Sequence, residues 1–404
     1  MTPRSVLGLG GTVDFELTLD EHVLGELVRE YDIVAGELSR SRAVESARDA
    51  IVVLLAHIDE AVGSERFLAD PAVAHELAAK FEHRVTLGGT CTRAALAMHV
   101  LGVPSTLHLV SIDDTVRRLL PPGIEWVCSA QSDSLDPHLI IQFAKGFTVE
   151  VGDRTITARR ADRVIFANDP PHRELRIADE LGELSAEADV IVLSSFNVIQ
   201  DEHVLRDRLA TVLRHVQRRP ADSILFFEDA AYHRAGFSRV VRDALVERVD
   251  VWSMNESEAA EYLGYPLPVD EPSEVADALR SLHAAVPART LVLHTAGWAA
   301  AIGREPSRWR DALVLGTSVA GCRFGRGDSM TAADVVEVLD GPRQKVGLDV
   351  AAALNTQHDV VCVAAPAITT PSPTTIGLGD AFVGGMVAAL SVGLPAVRSQ
   401  IETR

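Results

Sequence analysis

Val190-Ile191-Val192-Leu193, Ser223-Ile224-Leu225-Phe226-Phe227, Val249-Asp250-Val251-Trp252-Ser253, Thr290-Leu291-Val292-Leu293-His294 and Val360-Val361-Cys362-Val363 are five short, mostly apolar runs. Each is separated from the next by enough chain for a helix. Runs of this length without polar alternation suit strands buried on both faces. Strands that alternate with helices imply a largely parallel sheet. Ligands of such sheets bind beyond the carboxyl ends of the strands, so the residues leaving those ends are the ones to examine for chemistry.

Towards the N-terminus, Ser5-Val6-Leu7-Gly8-Leu9-Gly10-Gly11 reads as a further buried strand running into a glycine turn. It is not a dinucleotide fingerprint, because Val13 stands where the third glycine belongs. Helical spacing of apolar residues is expected over Glu21–Tyr31, Ser41–Val62 and Pro71–Phe81, with Gly63-Ser64-Glu65-Arg66-Phe67 as a break. Val85–Thr90 is another strand entering paired glycines, ahead of an alanine-rich helix over Thr92–Leu101 and a strand at Thr106–Val110. The stretch from Ile124 to Asp169 differs in character. Its short β-like runs, His138–Ala144, Phe147–Val151, Thr155–Ala158 and Arg163–Ala167, predict a small antiparallel region.

The 404 residues suffice for one large domain and a smaller one, with 47% apolar and 24% charged residues. A formal charge of −19 argues against a nucleic-acid partner. Four scattered cysteines without a CxxC pair fit a reducing cytosol. Asp14 and Glu16 come too early for a signal-peptide apolar region. The least polar run, Ala381–Val397, is 17 residues interrupted by Gly384, Gly385, Gly393 and Pro395. That is short of the roughly 20 needed to span a membrane, and it reads as a core helix of a cytoplasmic protein.

The chemistry is expected at Thr374-Thr375-Ile376-Gly377-Leu378-Gly379-Asp380. Gly377 and Gly379 permit a tight turn that gathers N–H groups at a helix N-terminus, an anion site. Asp380 places a carboxylate beside it, which suits phosphoryl transfer to a hydroxyl; the plainer alternative is a helix cap. Asn255-Glu256-Ser257-Glu258 follows a strand and either holds a hydrated Mg²⁺ through Asn255 and Glu258 or forms a capping box. Glu228, at a strand terminus, is a candidate for the same metal shell. Asp14 and Glu65 follow glycine turns and are candidates to grip hydroxyls, and His294 with Thr295 is a candidate to face a nucleotide. A Gly-Lys-Ser/Thr phosphate loop is excluded, since none of the three lysines follows a glycine. Neither a zinc-peptidase helix nor a Gly-x-Ser-x-Gly elbow is present.

In this order the motifs resemble those of the ADP-dependent sugar kinases, the ADP-dependent glucokinases and phosphofructokinases of the ribokinase-like superfamily. The marks are Gly63–Phe67, Gly88-Gly89, His138-Leu139-Ile140-Ile141, Arg163-Val164-Ile165-Phe166, Asn255–Glu258 and Gly377–Asp380. The resemblance implies a three-layer α/β/α large domain over residues 1–12, 41–123 and 173–404, and a β-rich lid over 13–40 and 124–172. It implies Asp380 as the base, Gly377 and Gly379 in the anion hole, Leu378 with His294 and Thr295 near the nucleotide, and Glu258, Asn255 and Glu228 organising Mg²⁺. Asp14, Glu65, Gly88, Gly89, Thr90 and Arg163 would meet the sugar. ADP is the implied donor, and a small-molecule sugar the implied acceptor. Glu65 matches a glutamate of the glucose-using members and favours glucose; fructose 6-phosphate, a nucleoside, or ATP as donor are the alternatives. A catalytically silent sugar- or nucleotide-binding regulator is the alternative of another class. The chain departs from the family in Phe226-Phe227-Glu228, which lacks the histidine of a His-x-Glu motif, and in Thr90, where an amide is usual; residues 307–345 match no family motif.

Overall fold

A computed structural model describes residues 4–371 and 373–402. Residues 1–3 and 403–404, which the expected outer bounds of the large domain include, lie outside the described residues, as does 372. The five runs that open the sequence reading all lie in a nine-stranded sheet. Across it the order is Val360–Ala364, Trp298–Gly303, Thr290–His294, Val251–Asn255, Ile224–Glu228, Val190–Leu193, Ser5–Leu7, Thr106–Leu109 and Glu125–Cys128. Every pairing from Thr290–His294 to Glu125–Cys128 is parallel. Alternate residues of each strand enter opposite cores: Val192 and Phe226 pack on one face, Ile191, Leu225 and Phe227 on the other. Two apolar faces covered by helices give the three layers that the uninterrupted runs predict.

Trp298–Gly303, a strand not expected from the sequence, lies one in from the sheet edge, pairs antiparallel to both of its neighbours and forms a hairpin with Thr290–His294. Its Ala299-Ala300-Ala301 core carries little β-propensity, so the strand is set by its neighbours rather than by its own residues.

A second sheet has five strands, in the order Ser64–Phe67, Asp162–Ala167, His138–Phe143, Thr12–Thr18 and His83–Gly88. Two expectations are corrected here. Residues 64–67, read as a break, form a strand parallel to Asp162–Ala167, and with His83–Gly88 they join the small sheet, although the expected bounds gave 41–123 to the large domain. Conversely, Glu125–Cys128, expected in the lid, extends the large sheet beside Thr106–Leu109. Nor is the small sheet simply antiparallel, since Thr12–Thr18 runs parallel to His138–Phe143 and antiparallel to His83–Gly88. That register sets Asp14 opposite both His138 and Thr86. The strand pairs involved lie far apart in sequence, and no local pattern could have declared them.

The apolar run 381–397 is two helices, not one. Leu378–Val392 is followed, after Gly393 at φ 84°, by Leu394–Glu402, with a bend of 98° between them. No single helix among the described residues is long and apolar enough to cross a membrane.

The helix Leu378–Val392 is locked between Thr90–Val100 and Arg310–Arg326, the latter within the stretch that matched no motif. Close approach is possible because the crossing points lack side chains. A Cβ on Gly384 would come within 2.6 Å of the Ala94 carbonyl oxygen, and one on Gly385 within 2.8 Å of Gly316 Cα. Gly384→Val is therefore expected to destabilise the fold by about 1–3 kcal/mol through overpacking, seen as a lower urea midpoint with an unchanged m-value.

Candidate functional site

A cleft of about 430 Å³ opens where the carboxyl ends of the large sheet face the small sheet. Asp380, Gly377, Leu378, Gly379, Asp14, Glu65, Gly89, Thr90, Arg163, Glu228, Asn255, Glu258 and His294 all line it. Two predicted residues do not. Gly88 lies beneath Asp14, whose carboxylate leaves no room for a Cβ at that position. Thr295 spends its hydroxyl in the turn between Thr290–His294 and Trp298–Gly303, donating to the Trp298 carbonyl at 2.9 Å and accepting from the amides of Gly297 and Trp298.

Asp380 sits in the first turn of Leu378–Val392 with its side chain 23% exposed. Gly377 precedes that helix at φ 68°, a left-handed conformation that glycine adopts without strain. The N–H groups of Leu378, Gly379 and Asp380 have no carbonyl partner within the helix and converge with its positive dipole end. Arg323 fastens this turn, donating from Nε to the Ile376 carbonyl at 2.8 Å, and its Nη1 pairs with Asp328 at 2.8 Å.

Asp14 belongs to the same corner through Arg93, a buried residue that the sequence reading passed over. Its Nη2 donates to Asp14 Oδ2 at 2.7 Å and to Glu16 Oε1 at 2.9 Å, and its Nε stands 4.0 Å from Asp380 Oδ2. Burial opposes the charge on Arg93, but the carboxylates of Asp14, Glu16 and Asp380 more than offset this and its pKa rises. A lone arginine within Thr92-Arg93-Ala94-Ala95, an otherwise small and apolar stretch, is the signal that could have found it.

At the other end of the cleft, Glu228, Asp229 and Glu258 bring three buried carboxylates together. Asn255 and Glu258 do form the capping box: Asn255 accepts from Ser257 and Glu258 amides, and Glu258 accepts from the Asn255 amide and Nδ2, both at 2.8 Å. Burial, then the charges of Glu228 and Asp229, raise the Glu258 pKa. Asp229 is pushed up to about 7 by burial, against hydrogen bonds from Tyr262 and Trp252. Glu228 Oε1 takes its contact from His294 Nε2 at 2.9 Å, and His294 stacks on Phe382. Its Oε2 is buried without a partner. Phe226 is in the core, and the histidine that meets Glu228 is His294.

Among the described residues no arginine or lysine pairs with this cluster, whose only ion-pair contact is His294, and a hydrated dication would supply positive charge. Among the described residues no three His, Cys, Asp or Glu side chains are arranged to hold an ion directly. The residues therefore fit Mg²⁺ held through its waters, the manner in which that ion is usually bound.

Glu65, on the small sheet, meets His233 Nε2 at 2.9 Å. His233 lies in the segment after Ile224–Glu228 of the large sheet, so the pair ties the two sheets across the cleft. Burial works against both charges, yet each stabilises the other: the Glu65 pKa falls and that of His233 rises.

A large sheet of this order with a small sheet over its carboxyl edge, and a Gly-x-Gly-Asp helix start sharing one cleft with a carboxylate cluster, is an α/β architecture suited to phosphoryl transfer. The profile described as "ADP-specific Phosphofructokinase/Glucokinase conserved region" matches residues 3–388. The chain belongs to that family and is an ADP-dependent sugar kinase. A search of curated protein sequences returns no match. Among solved structures it is similar to a hypothetical ADP-dependent phosphofructokinase from Pyrococcus horikoshii OT3, at 17% identity and TM-score 0.75, covering 96% of this chain and 99% of that one. An ADP-dependent kinase in complex with fructose-6-phosphate and ADPβS gives 13% identity and TM-score 0.75, covering 96% and 93%. The adenosine kinase of Trypanosoma brucei brucei gives 14% and 0.53, covering 100% and 97%.

The pair Glu65–His233 makes stability depend on pH. The raised His233 contributes fully below the ordinary histidine pKa of about 6.5, and its contribution is lost as pH rises through the folded value. The lowered Glu65 contributes above the ordinary glutamate pKa of about 4.3, and its contribution is lost as pH falls through its folded value. Urea midpoints should therefore fall on raising the pH from about 6 to about 8.5, and His233→Gln should abolish that part of the decline.

Proposed function

We propose that the chain transfers the β-phosphoryl group of ADP to the terminal hydroxyl of a hexose, glucose first among them, with Mg²⁺. The observation that carries this reading is the meeting of Asp380, the Gly377–Gly379 turn and Asp14 in one cleft, 4.0 Å separating the Asp380 carboxylate from the arginine that holds Asp14.

Asp14 accepts from an acceptor hydroxyl, and Asp380 takes the proton of the reacting one as its oxygen bonds to phosphorus and the bond to AMP breaks. The unpaired amides at the start of Leu378–Val392 receive the negative charge of the phosphoryl group in flight. Mg²⁺, when bound, neutralises the diphosphate oxygens. Glu228, Asp229 and Glu258 with Asn255 would hold its water shell. Residues of the small sheet, closing over the sugar, exclude water that would otherwise compete for the phosphoryl group.

Glucose is supported by Glu65: His233 takes only Oε1, and among the described residues Oε2 has no protein partner, so it is free to accept from a sugar hydroxyl. A carboxylate there repels a phosphosugar. Fructose 6-phosphate is the second reading, favoured by Arg160 and Arg163 in the same lining and by the fructose-6-phosphate complex of a structural neighbour.

Asp380→Asn is expected to lower turnover by about 10²- to 10⁴-fold while leaving ADP affinity, read by calorimetry, within a few-fold. Coupled assays of ADP and ATP against glucose and fructose 6-phosphate decide the substrates: turnover with fructose 6-phosphate and none with glucose would refute the Glu65 argument.

A further inference from the structure

Arg93 has a second edge. Its Nη2 is consumed by Asp14, Glu16 and, at 3.3 Å, the Thr86 hydroxyl. Nη1 and Nε donate no hydrogen bond among the described residues, and Nε stands 4.0 Å from Asp380 Oδ2. Neither is among the buried polar atoms closed off without a partner, and the residue lines the cleft. The side chain is 4% exposed at the cleft wall and packs against the Gly377 turn, where a Cβ on Gly377 would stand 2.8 Å from Arg93 Cδ and 3.3 Å from its Nη1, so this edge lies beside the proposed anion site.

The guanidinium is also fixed in place. Thr90–Val100, which carries it in its first turn, is pressed against Leu378–Val392 at Gly384, where the Ala94 carbonyl and Ala97 Cβ leave no room for a side chain. The three acceptors on Nη2 then set the plane of the fork. Lysine, a point charge on a flexible stem, cannot satisfy three acceptors with one nitrogen while presenting another donor to the turn.

Resting on the kinase reading above, we propose that Arg93 is a catalytic residue of the phosphoryl-transfer step: its Nη1–Nε edge donates to the phosphoryl group in flight, while Nη2 holds the sugar-gripping Asp14. Preorganised donors of this kind act where charge develops in the transition state, and a fixed cation costs no reorganisation at that moment. The same contacts explain how the chain tolerates a buried carboxylate pair, Asp14 and Glu16, beside a third, Asp380. Arg93 shares the charge of this group with Arg84, which also pairs with Glu16, and turns its remaining edge toward Asp380.

The test compares wild type, Arg93→Lys, Arg93→Ala and the double variant Arg93→Met/Glu16→Gln, with circular dichroism and urea midpoints as the check on folding. The double variant removes one of the carboxylates that would otherwise be left buried and unpaired. Arg93→Ala and the double variant should lower kcat by about 10²- to 10³-fold with the KM for ADP within about threefold. Guanidinium ion added at non-denaturing concentration should restore part of the Arg93→Ala activity, and Arg93→Lys should fall between that variant and wild type. A folded double variant that keeps kcat within twofold, or one whose loss lies wholly in the sugar KM with no rescue by guanidinium, overturns the proposal and leaves Arg93 a support of Asp14 alone. A wild-type protein without turnover on any sugar overturns the kinase reading itself, and this one with it.

Discussion

The site depends on three helices approaching more closely than side chains ordinarily allow. Leu378–Val392 meets Arg310–Arg326 at Gly385 and Gly316, and Thr90–Val100 at Gly384. Without those glycines the backbones would stand apart by the thickness of a methyl group or more, and Asp380 would be carried away from Arg93 and from the small sheet. Interiors are packed too densely to absorb such a shift elsewhere. Packing at the back of the helix thus sets the distance between charges at its front.

Charge is distributed along the cleft in a graded way. At one end three carboxylates surround Arg93; at the other, Glu228, Asp229 and Glu258 form no ion pair with a guanidinium or ammonium group among the described residues. The first group has arginine partners within the protein, Arg93 and, on Glu16, Arg84; in the second, burial and then the neighbouring carboxylates raise the pKa of Glu258, and burial raises that of Asp229.

Much of this was legible in the sequence, for physical reasons. The five buried runs announced the parallel sheet because a strand covered on both faces cannot alternate. Glycines before Asp380 and after Val85–Leu87 marked the turns because few other residues fit them. What escaped was set by distant partners. Residues 64–67 are polar enough to read as a break and become a strand only by pairing with Asp162–Ala167. Trp298–Gly303 carries too much alanine to declare itself. Arg93 could not be weighed without seeing that Asp14, Glu16 and Asp380, up to several hundred residues apart in the chain, share its surroundings.

The chain first passes from the large sheet to the small one through the four residues Gly8–Gly11, from Ser5–Leu7 directly into Thr12–Thr18. Thr12–Thr18 is clamped on both sides, with Asp14 opposite Thr86 and His138. Because side chains alternate between the faces of a strand, one residue added to or removed from that link would either break both ladders or turn Asp14 to the wrong side. The length of the connection is consequently as specific as the identity of any side chain in the cleft: a deletion there would be silent in composition and fatal in register.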